Sequence, residues 1–353
     1  MGNDHQTFSL PEGDVMILES EKFPSMDEAE VVRKALARPI DSAQLSQLVG
    51  NKDKVRILYS DVTRLWVRHH VFMPLILNEL NKGGVKDKNV YGVCALGDHR
   101  DQTDAEFRKL LGVEAYNRLK GRIYNHHSRD EENIYLGRTT FGSPVEVNKR
   151  VTKADKIILT GGIVYHFLFG WGGGKKAIMP GVSSRRSIMA NHGLALNSVG
   201  LDPNARAGKM KGNRCSEDAL EVASFLDPTF LFNVVVNKQI GAAVAGNWIT
   251  AHEKGAEICE KYYGVPIKEQ ADLTIISCGG YPQDINFYQS YKTLYNAESV
   301  TKPGGVIILL TESREGMGNK DFYHMFIDYS DVERKEELRK NYTIGGLIRI
   351  TPI

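Results

Sequence analysis

One stretch of the chain, GGIVYHFLFGWGGGKKAIMPGVSSRRSIMANH at residues 161–192, concentrates residues that can do chemistry. His166 opens it, Lys175 and Lys176 sit at its centre, and His192 closes it. A short apolar strand, Ile157 to Thr160, runs into the stretch and stops at Gly161 and Gly162. Gly170, Gly172, Gly173 and Gly174 remove side chains where the backbone must bend or approach a ligand closely. A glycine-rich turn after a strand leaves backbone N–H groups available, and these bind phosphate.

Two familiar phosphate cradles do not fit. A P-loop needs four residues between its glycines, then Lys, then Ser or Thr for magnesium. Here three residues separate Gly170 from Gly174, and Lys175 is followed by Lys176. The dinucleotide pattern G-x-G-x-x-G fails as well, because Lys175 stands where its last glycine belongs. The loop therefore suggests a phosphate, but neither ATP nor NAD in its usual cradle. A glycine-rich surface turn with solvated lysines is the alternative. Phe167 and Trp171 beside the glycines favour a lined cleft over an open tip.

Other candidates stand where apolar strands end, which is where open α/β sheets place their sites. After Val55–Tyr59 come Asp61, a hydrogen-bond acceptor, and Arg64, a bidentate clamp for a carboxylate. The competing reading is a helix-capping Asp61 and a surface Arg64. After Val90–Leu96 come Gly97, Asp98, His99 and Arg100. His99 lies between a strand end and a helix start, a position suited to proton transfer; the alternative is a loop histidine bonded to local backbone. Thr103 and Glu106 form a capping box for a helix through Leu111. Farther on, a helix is expected from Asn286 to Tyr295, with Gln289 and Lys292 on one face.

HFLFGWGGGKKAIMPGVSS followed by SIMANH resembles the core of the nickel-dependent lactate racemases, and further matches cover most of the chain. These are an Asp-x-Thr-Arg motif at Asp61–Arg64, an LGxHR motif at Leu96–Arg100 with Thr103 following, and YPxDxNxYQxxK at Tyr281–Lys292. The resemblance implies an isomerase, a racemase or epimerase of a 2-hydroxy acid. Its implied cofactor is a nickel-pincer nucleotide, pyridinium-3,5-bisthiocarboxylic acid mononucleotide. Lys176 would be the covalent tether, His192 the nickel ligand, and His99 and His166 the two acid–base histidines. Gly172, Gly173, Gly174 and Asp61 would hold the cofactor, while Arg64, Tyr288, Gln289 and Lys292 would bind substrate. The implied mechanism is reversible hydride transfer from Cα through a 2-keto acid, with the hydroxyl proton passed to a histidine. Cofactor-synthesis enzymes are the implied partners.

The chain departs from the family just after Arg64. In place of a proline pair it has Leu65, Trp66, Val67, Arg68, His69 and His70, and is one residue longer before Pro74. Trp66 can stack on a larger substrate tail and Arg68 can pair with a second anion, so the substrate is expected to be larger or more polar than lactate. The alternative packs Trp66 in the core and leaves Arg68 and the histidines in water. Two other functional classes stay open: a zinc-type hydrolase built on His99, His166 and His192, and a non-catalytic carrier of the nickel nucleotide.

At 353 residues the chain can hold two domains and a substantial core. It is 42% hydrophobic and 25% charged, with a net charge of +2 that gives no reason to expect nucleic acid or a membrane surface. No apolar run approaches a transmembrane span, and the first ten residues do not read as a signal peptide. Cys94, Cys215, Cys259 and Cys278 are far apart, which disfavours structural zinc or a disulfide framework and favours the cytoplasm. Strands alternating with helices predict an α/β fold of two α/β domains with mostly parallel sheets and an interdomain active-site cleft. The expected boundaries are 1–264 for cofactor binding and catalysis and 265–353 for a C-terminal domain shortened relative to the family. A strand is expected near Val15–Leu18, helices at Met26–Ala37 and Trp248–Tyr263, and a final helical region from Phe322. The pair His126-His127 reads as part of a solvated loop. The basic segment 201–218 has no assigned role, although Arg206 and Lys209 are able to frame a phosphate.

Overall fold

The computed structural model describes residues 1–318, 323 and 324, apart from 8, 11, 25, 130, 132 and 198–201. The chain divides into two compact units, residues 22–262 and residues 1–21 with 263–353.

The larger unit is built on a six-stranded sheet. Its strands are β1 (Val55–Tyr59), β2 (Val90–Cys94), β3 (Ile123–Asn125), β6 (Lys156–Gly162), β9 (Phe230–Asn237) and β10 (Gln239–Gly246). A hairpin of β4 (Asn133–Arg138) and β5 (Pro144–Asn148) and a small ribbon of β7 (Tyr165–His166) and β8 (Gly170–Trp171) lie between them in sequence. The order across the sheet is β10-β9-β6-β1-β2-β3, parallel throughout except for β10. The chain moves outward from β1 to β2 and β3, then returns to the other side of β1 to lay down β6 and β9. The reversal falls between β1 and β6, so polar residues after those strands collect at a topological switch point.

Continuous apolar strands belong in a sheet covered on both faces. All five residues of β1 are buried, as are the first seven of β9. The covering helices include α1 (Glu28–Ala37), α2 (Leu45–Leu48), α3 (His69–Lys82) and α4 (Asp104–Leu119). Asp27 caps α1 by accepting from Ala29 N. The capping box read in the sequence is present: Thr103 Oγ1 accepts from Glu106 N, and Thr103 N donates to Glu106. The helix runs on past Leu111 through a kink at Gly112, where φ is +75° and a Cβ would stand 2.9 Å from His70 Cβ. Farther along come α5 (Lys149–Thr152), α6 (Arg185–Gly193), α7 (Arg214–Ser224) and α8 (Thr250–Tyr263).

The smaller unit has its own parallel pair, β11 (Ala271–Ser277) and β12 (Thr301–Leu310). The helix expected between them arrives in pieces. These are α9 (Phe287–Ser290), a 3₁₀ turn at Tyr291–Thr293, and α10 (Leu294–Val300). Val15–Leu18 is not a strand: it pairs with no described strand and its apolar side chains are exposed. Phe322 lies outside the described residues. No described helix is long and apolar enough to cross a membrane.

His126 is buried, contrary to the solvated-loop reading. Its Nε2 donates to Ser183 O at 2.9 Å, and its Nδ1 accepts from Asn148 Nδ2 at 3.1 Å. His127 is exposed and pairs with Asp101. The two side chains diverge because adjacent residues on an extended chain face opposite ways.

Two other buried histidines set an acid limit on the fold. Burial, helped by His70, holds His69 down to about 3. Burial, then neighbouring Lys175, holds His252 down to about 4. The unfolded chain, titrating near the ordinary ~6.5, binds more protons below that pH. Stability therefore falls as pH drops from about 6.5 toward 4, by up to about 1.4 kcal/mol per pH unit for each histidine. Thermal melts between pH 7 and 4 will show this, with a shallower slope in His69→Gln. An identical slope in that variant would remove His69 from the account.

Candidate active site

Asp61 follows β1 and starts the 3₁₀ turn Val62–Val67. Its Oδ1 accepts from Thr63 N at 2.9 Å and Thr63 Oγ1 at 2.5 Å, and its Oδ2 is bonded to His99 Nδ1. Burial pushes the Asp61 carboxyl up, but His99, Arg64 and Thr63 together hold it well below the usual carboxylate range. An ionised Asp61 only accepts hydrogen bonds, so the His99 proton sits on Nδ1 and Nε2 is left as the basic nitrogen of the neutral ring. Arg64 Nη1 donates to Thr63 Oγ1 at 2.8 Å. The line Arg64–Thr63–Asp61–His99 thus joins two strand ends on one edge of the sheet.

The loop that carries His99 is tied down on both sides. Gly97 N donates to Gly181 O at 2.9 Å. Asp98 accepts from Ser128 Oγ at 2.6 Å and from Arg185 Nη1 at 2.5 Å. Arg185 is the first residue of α6, and His192 lies in the last turn of the same helix. One helix therefore links the His99 loop to His192. Arg100, which had no role from sequence, makes a two-pronged contact with Glu106 at 2.8 and 3.0 Å.

The central stretch converges on Phe169, which is fully buried. His166 and His192 both meet its ring edge-on, with centroids 5.4 and 5.3 Å away. Lys176 Nζ stands 3.8 Å from the centroid of the same ring. His166 Nδ1 accepts from Leu168 N and Phe169 N at 3.1 and 3.2 Å, so a neutral His166 carries its proton on Nε2. The two histidines expected to handle protons are consequently held in opposite tautomers.

Lys175 and Lys176 lie in the 3₁₀ turn Gly174–Ala177 and diverge. Lys175 is only 7% exposed, with Nζ 3.9 Å from Met210 Sδ, and burial lowers it to about 8. Beneath the glycines, Asn233 Oδ1 accepts from Gly174 N at 2.7 Å, and His252 Nε2 donates to Gly172 O at 2.8 Å. Gly173 and Gly174 adopt φ of +73° and +55°, and a Cβ on either would collide with Asn233 or His252. Segment 205–213 packs back onto this loop: Gly208 N donates to Gly170 O at 2.9 Å, and Asn213 Nδ2 donates to Leu168 O at 2.8 Å.

The match to known families now decides what this arrangement belongs to. Residues 1–202 match the lactate racemase N-terminal domain, and residues 267–343 match the lactate racemase C-terminal domain. The chain belongs to the lactate racemase family. It is 34% identical over 339 residues to a lactate racemase of Thermoanaerobacterium thermosaccharolyticum, covering 94% of this chain and 78% of that protein. It is also 34% identical over 310 residues to a lactate racemase of Lactiplantibacillus plantarum, covering 87% of this chain and 71% of that one. The lactate racemase apoprotein structure from T. thermosaccharolyticum superimposes with a TM-score of 0.87 at 32% identity, over 98% of this chain and 82% of that chain. A Thermotoga maritima protein shares the fold, with a TM-score of 0.66 at 18% identity over 91% and 80% of the two chains. The chain is accordingly an isomerase, a racemase.

For a lactate racemase family member the larger unit brings together Asp61, Arg64 and His99 in one group and His166, Lys176 and His192 in another. In the smaller unit Lys292 Nζ donates to Gln289 Oε1 at 2.9 Å and lies 4.9 Å from the Tyr288 ring centroid. Asn286 supports them by accepting from Gln289 N at 3.0 Å. The loop after Arg64 is largely occupied by the fold. Trp66 packs against the core, and a Cβ on Gly162 would meet its ring at 2.8 Å. Arg68 makes a bidentate pair with Glu28, both contacts at 2.6 Å. His69 is buried with Nε2 3.3 Å from Ser60 Oγ, while His70 is exposed.

Sequence reasoning missed Phe169, Asn233, His252 and the Asp98–Arg185 pair. Asn233 had a visible signal: it is the one polar residue within FLFNVVV. A buried amide in such a strand demands a hydrogen-bond partner, and the glycine loop supplies it.

Proposed function

We propose that this racemase interconverts the stereoisomers of a 2-hydroxy acid with a nickel-pincer nucleotide tethered through Lys176. The observation that carries the reading is the grouping of Lys176, His192 and His166 around the buried Phe169 ring. The residues present fit such a group. An amine and an imidazole share one wall, and the adjacent Gly172–Gly174 turn is held in its bend by close packing on Asn233 and His252. Lys176 would form the covalent link, His192 would ligate nickel, and the glycine-loop backbone would face the phosphate. When bound, the group supplies a hydride acceptor, which the weakly acidic Cα–H of a 2-hydroxy acid requires.

The remaining work falls to the protein's own side chains. Arg64, preset by Thr63, holds the substrate carboxylate. His99 Nε2 takes the hydroxyl proton, with Asp61 orienting the ring through Nδ1. His166 is the corresponding group for the other enantiomer: it takes the hydroxyl proton of that isomer when Nε2 is unprotonated and returns it from the imidazolium. The neutral ring seen here, with Nδ1 accepting from Leu168 N and Phe169 N, instead presents Nε2–H as a hydrogen-bond donor to the substrate oxygen. Asp61, expected from sequence to bind cofactor, already uses one oxygen on Thr63 and the other on His99, so an orienting role suits it better. Tyr288, Gln289 and Lys292 are further substrate-binding groups. Trp66 remains the candidate for choosing a tail larger or more polar than lactate. Arg68 would have to leave Glu28 to meet a second anion. Cofactor-synthesis enzymes are the partners this reading requires, and the cytoplasm is the compartment it favours.

Among the described residues no three His, Cys, Asp or Glu side chains converge as a metal site, which is what the zinc alternative needs. The nickel reading asks the protein for one imidazole. Elemental analysis of protein matured with the cofactor-synthesis enzymes is expected to find nickel in the wild type and little in His192→Ala. A panel of lactate, malate, 2-hydroxyglutarate and phenyllactate, resolved by chiral chromatography, tests the substrate. Full nickel in His192→Ala removes it as the ligand, and lactate turning over fastest removes the preference for a larger tail.

A further inference from the structure

The end of the sheet remote from Asp61 carries a second concentration of charge. Arg56 near the start of β1 and Tyr91 near the start of β2 are partners in register, and Tyr124 lies in β3 beside them. With Lys149, Arg150 and Lys153 they line a cavity of about 250 Å³. Arg56 is only 8% exposed. Its guanidinium lies 4.1 Å from the Tyr91 ring centroid, and that of Arg150 lies 4.2 Å from the Tyr124 centroid. Arg56 Nε donates to Arg150 O at 2.9 Å, and Nη1 donates to Val55 O at 3.4 Å.

None of Arg56, Arg150 and Lys153 has a carboxylate partner among the described residues. Asp155 is close enough to favour the Arg56 charge, but its carboxylate accepts from Lys54 N at 2.8 Å. A buried guanidinium facing backbone carbonyls and a ring is incompletely compensated, and a second guanidinium beside it makes matters worse. Burial and then Arg150 lower the Arg56 pKa accordingly. The fold does not need a charge here, since an apolar side chain of equal length would fill the space at less cost.

We propose that this cavity binds the diphosphate group of a small molecule. A diphosphate carries enough charge for three cations and enough oxygens for two guanidinium forks and an ammonium. The recessed position of Arg56 suits a compact ligand; a nucleic-acid backbone is met by solvated side chains on an open face. A neighbouring cavity of about 250 Å³ shares Tyr124 and Arg150 and is lined also by Asn125, Asn133, Asn148, His127 and the carboxylate of Asp101. It offers a polar place for an uncharged organic body rather than for further phosphate. The site is separate from the groups assigned to racemisation.

Calorimetric titration of the full chain with sodium pyrophosphate at fixed ionic strength tests this. Saturable binding of one equivalent is expected. Arg150→Gln and Lys153→Gln should each weaken it about tenfold, while Lys302→Gln, whose native partner is Asp272 in the other unit, leaves it unchanged. Arg56→Met should abolish binding without lowering Tm; if it does not fold, the two exposed variants decide alone. A parallel titration with ADP separates the sources: tighter binding than pyrophosphate means the organic body contributes, and weaker binding means the diphosphate alone is recognised. No saturable binding of either compound, or equal affinity in Arg150→Gln and Lys153→Gln, overturns the proposal.

Discussion

Lys176→Ala is expected to carry no covalent adduct and to show no racemisation above background, whereas Lys175→Ala keeps the adduct. The two lysines are adjacent, and reactivity and geometry favour different ones. Lys175 is lowered to about 8 by burial, so more of it is neutral and nucleophilic than in an ordinary lysine. Yet it is 7% exposed and lies against Met210, where a nucleotide has no access. Lys176 is half-buried and stands over the Phe169 ring that His166 and His192 also meet. Placement should win, because a covalent link forms only where the reacting atoms meet. Lys176→Arg keeps the charge over the ring but lacks an amine able to form the link, so it too should lose the adduct. Intact-mass measurement with peptide mapping, on protein made alongside the cofactor-synthesis enzymes, reads this directly. An adduct mapped to Lys175, or one that survives in Lys176→Ala, would refute the assignment.

Asp61→Asn should reduce kcat by about 10²- to 10⁴-fold while nickel content and adduct stay at wild-type levels. Asparagine keeps the cap on Thr63 N, because its side-chain oxygen accepts as the carboxylate does. The local turn therefore survives and the loss cannot be put down to unfolding. What changes is the partner of His99 Nδ1. An amide is able to present N–H in place of oxygen, which stabilises the tautomer with its proton on Nε2 and removes the base. His99→Ala should fall into the same range, and the double variant should be little worse than either single one, since the two residues act as a unit. Activity within threefold of wild type in Asp61→Asn would show that the pair does not set the proton transfer. A loss of nickel together with activity would return Asp61 to a cofactor-holding role.

Much of the local structure was legible in the sequence because it rests on short-range physics. The capping box at Thr103 and Glu106 and the i, i+3 meeting of Gln289 with Lys292 each follow from residues a turn apart. The apolar runs Val55–Tyr59 and Phe230–Val236 needed only their composition to be placed in a sheet covered on both faces. Val15–Leu18 has the same apolar character and is not a strand, because a strand exists only with a partner edge, and a single segment does not encode its partner. The motifs named the candidate residue types for the chemistry and where along the chain they fall.

Tertiary structure decided which of them face one another. The order β10-β9-β6-β1-β2-β3 sets the ends of β1 and β2 side by side, and so joins Asp61 to His99 across 38 residues of chain. The turn at Gly174–Ala177 separated Lys175 from Lys176, which sequence treats as near equivalents. Phe169, one apolar residue among many in HFLFGW, became the common wall for His166, Lys176 and His192 because α6 returns His192 to it. Arg68 was chemically fit for substrate, and Glu28 on α1, 40 residues away, claimed it. Spacing along the chain constrains neighbours within about a turn of helix or a strand pair; contacts beyond that range depend on how the sheet and helices pack, and that packing selected these partners.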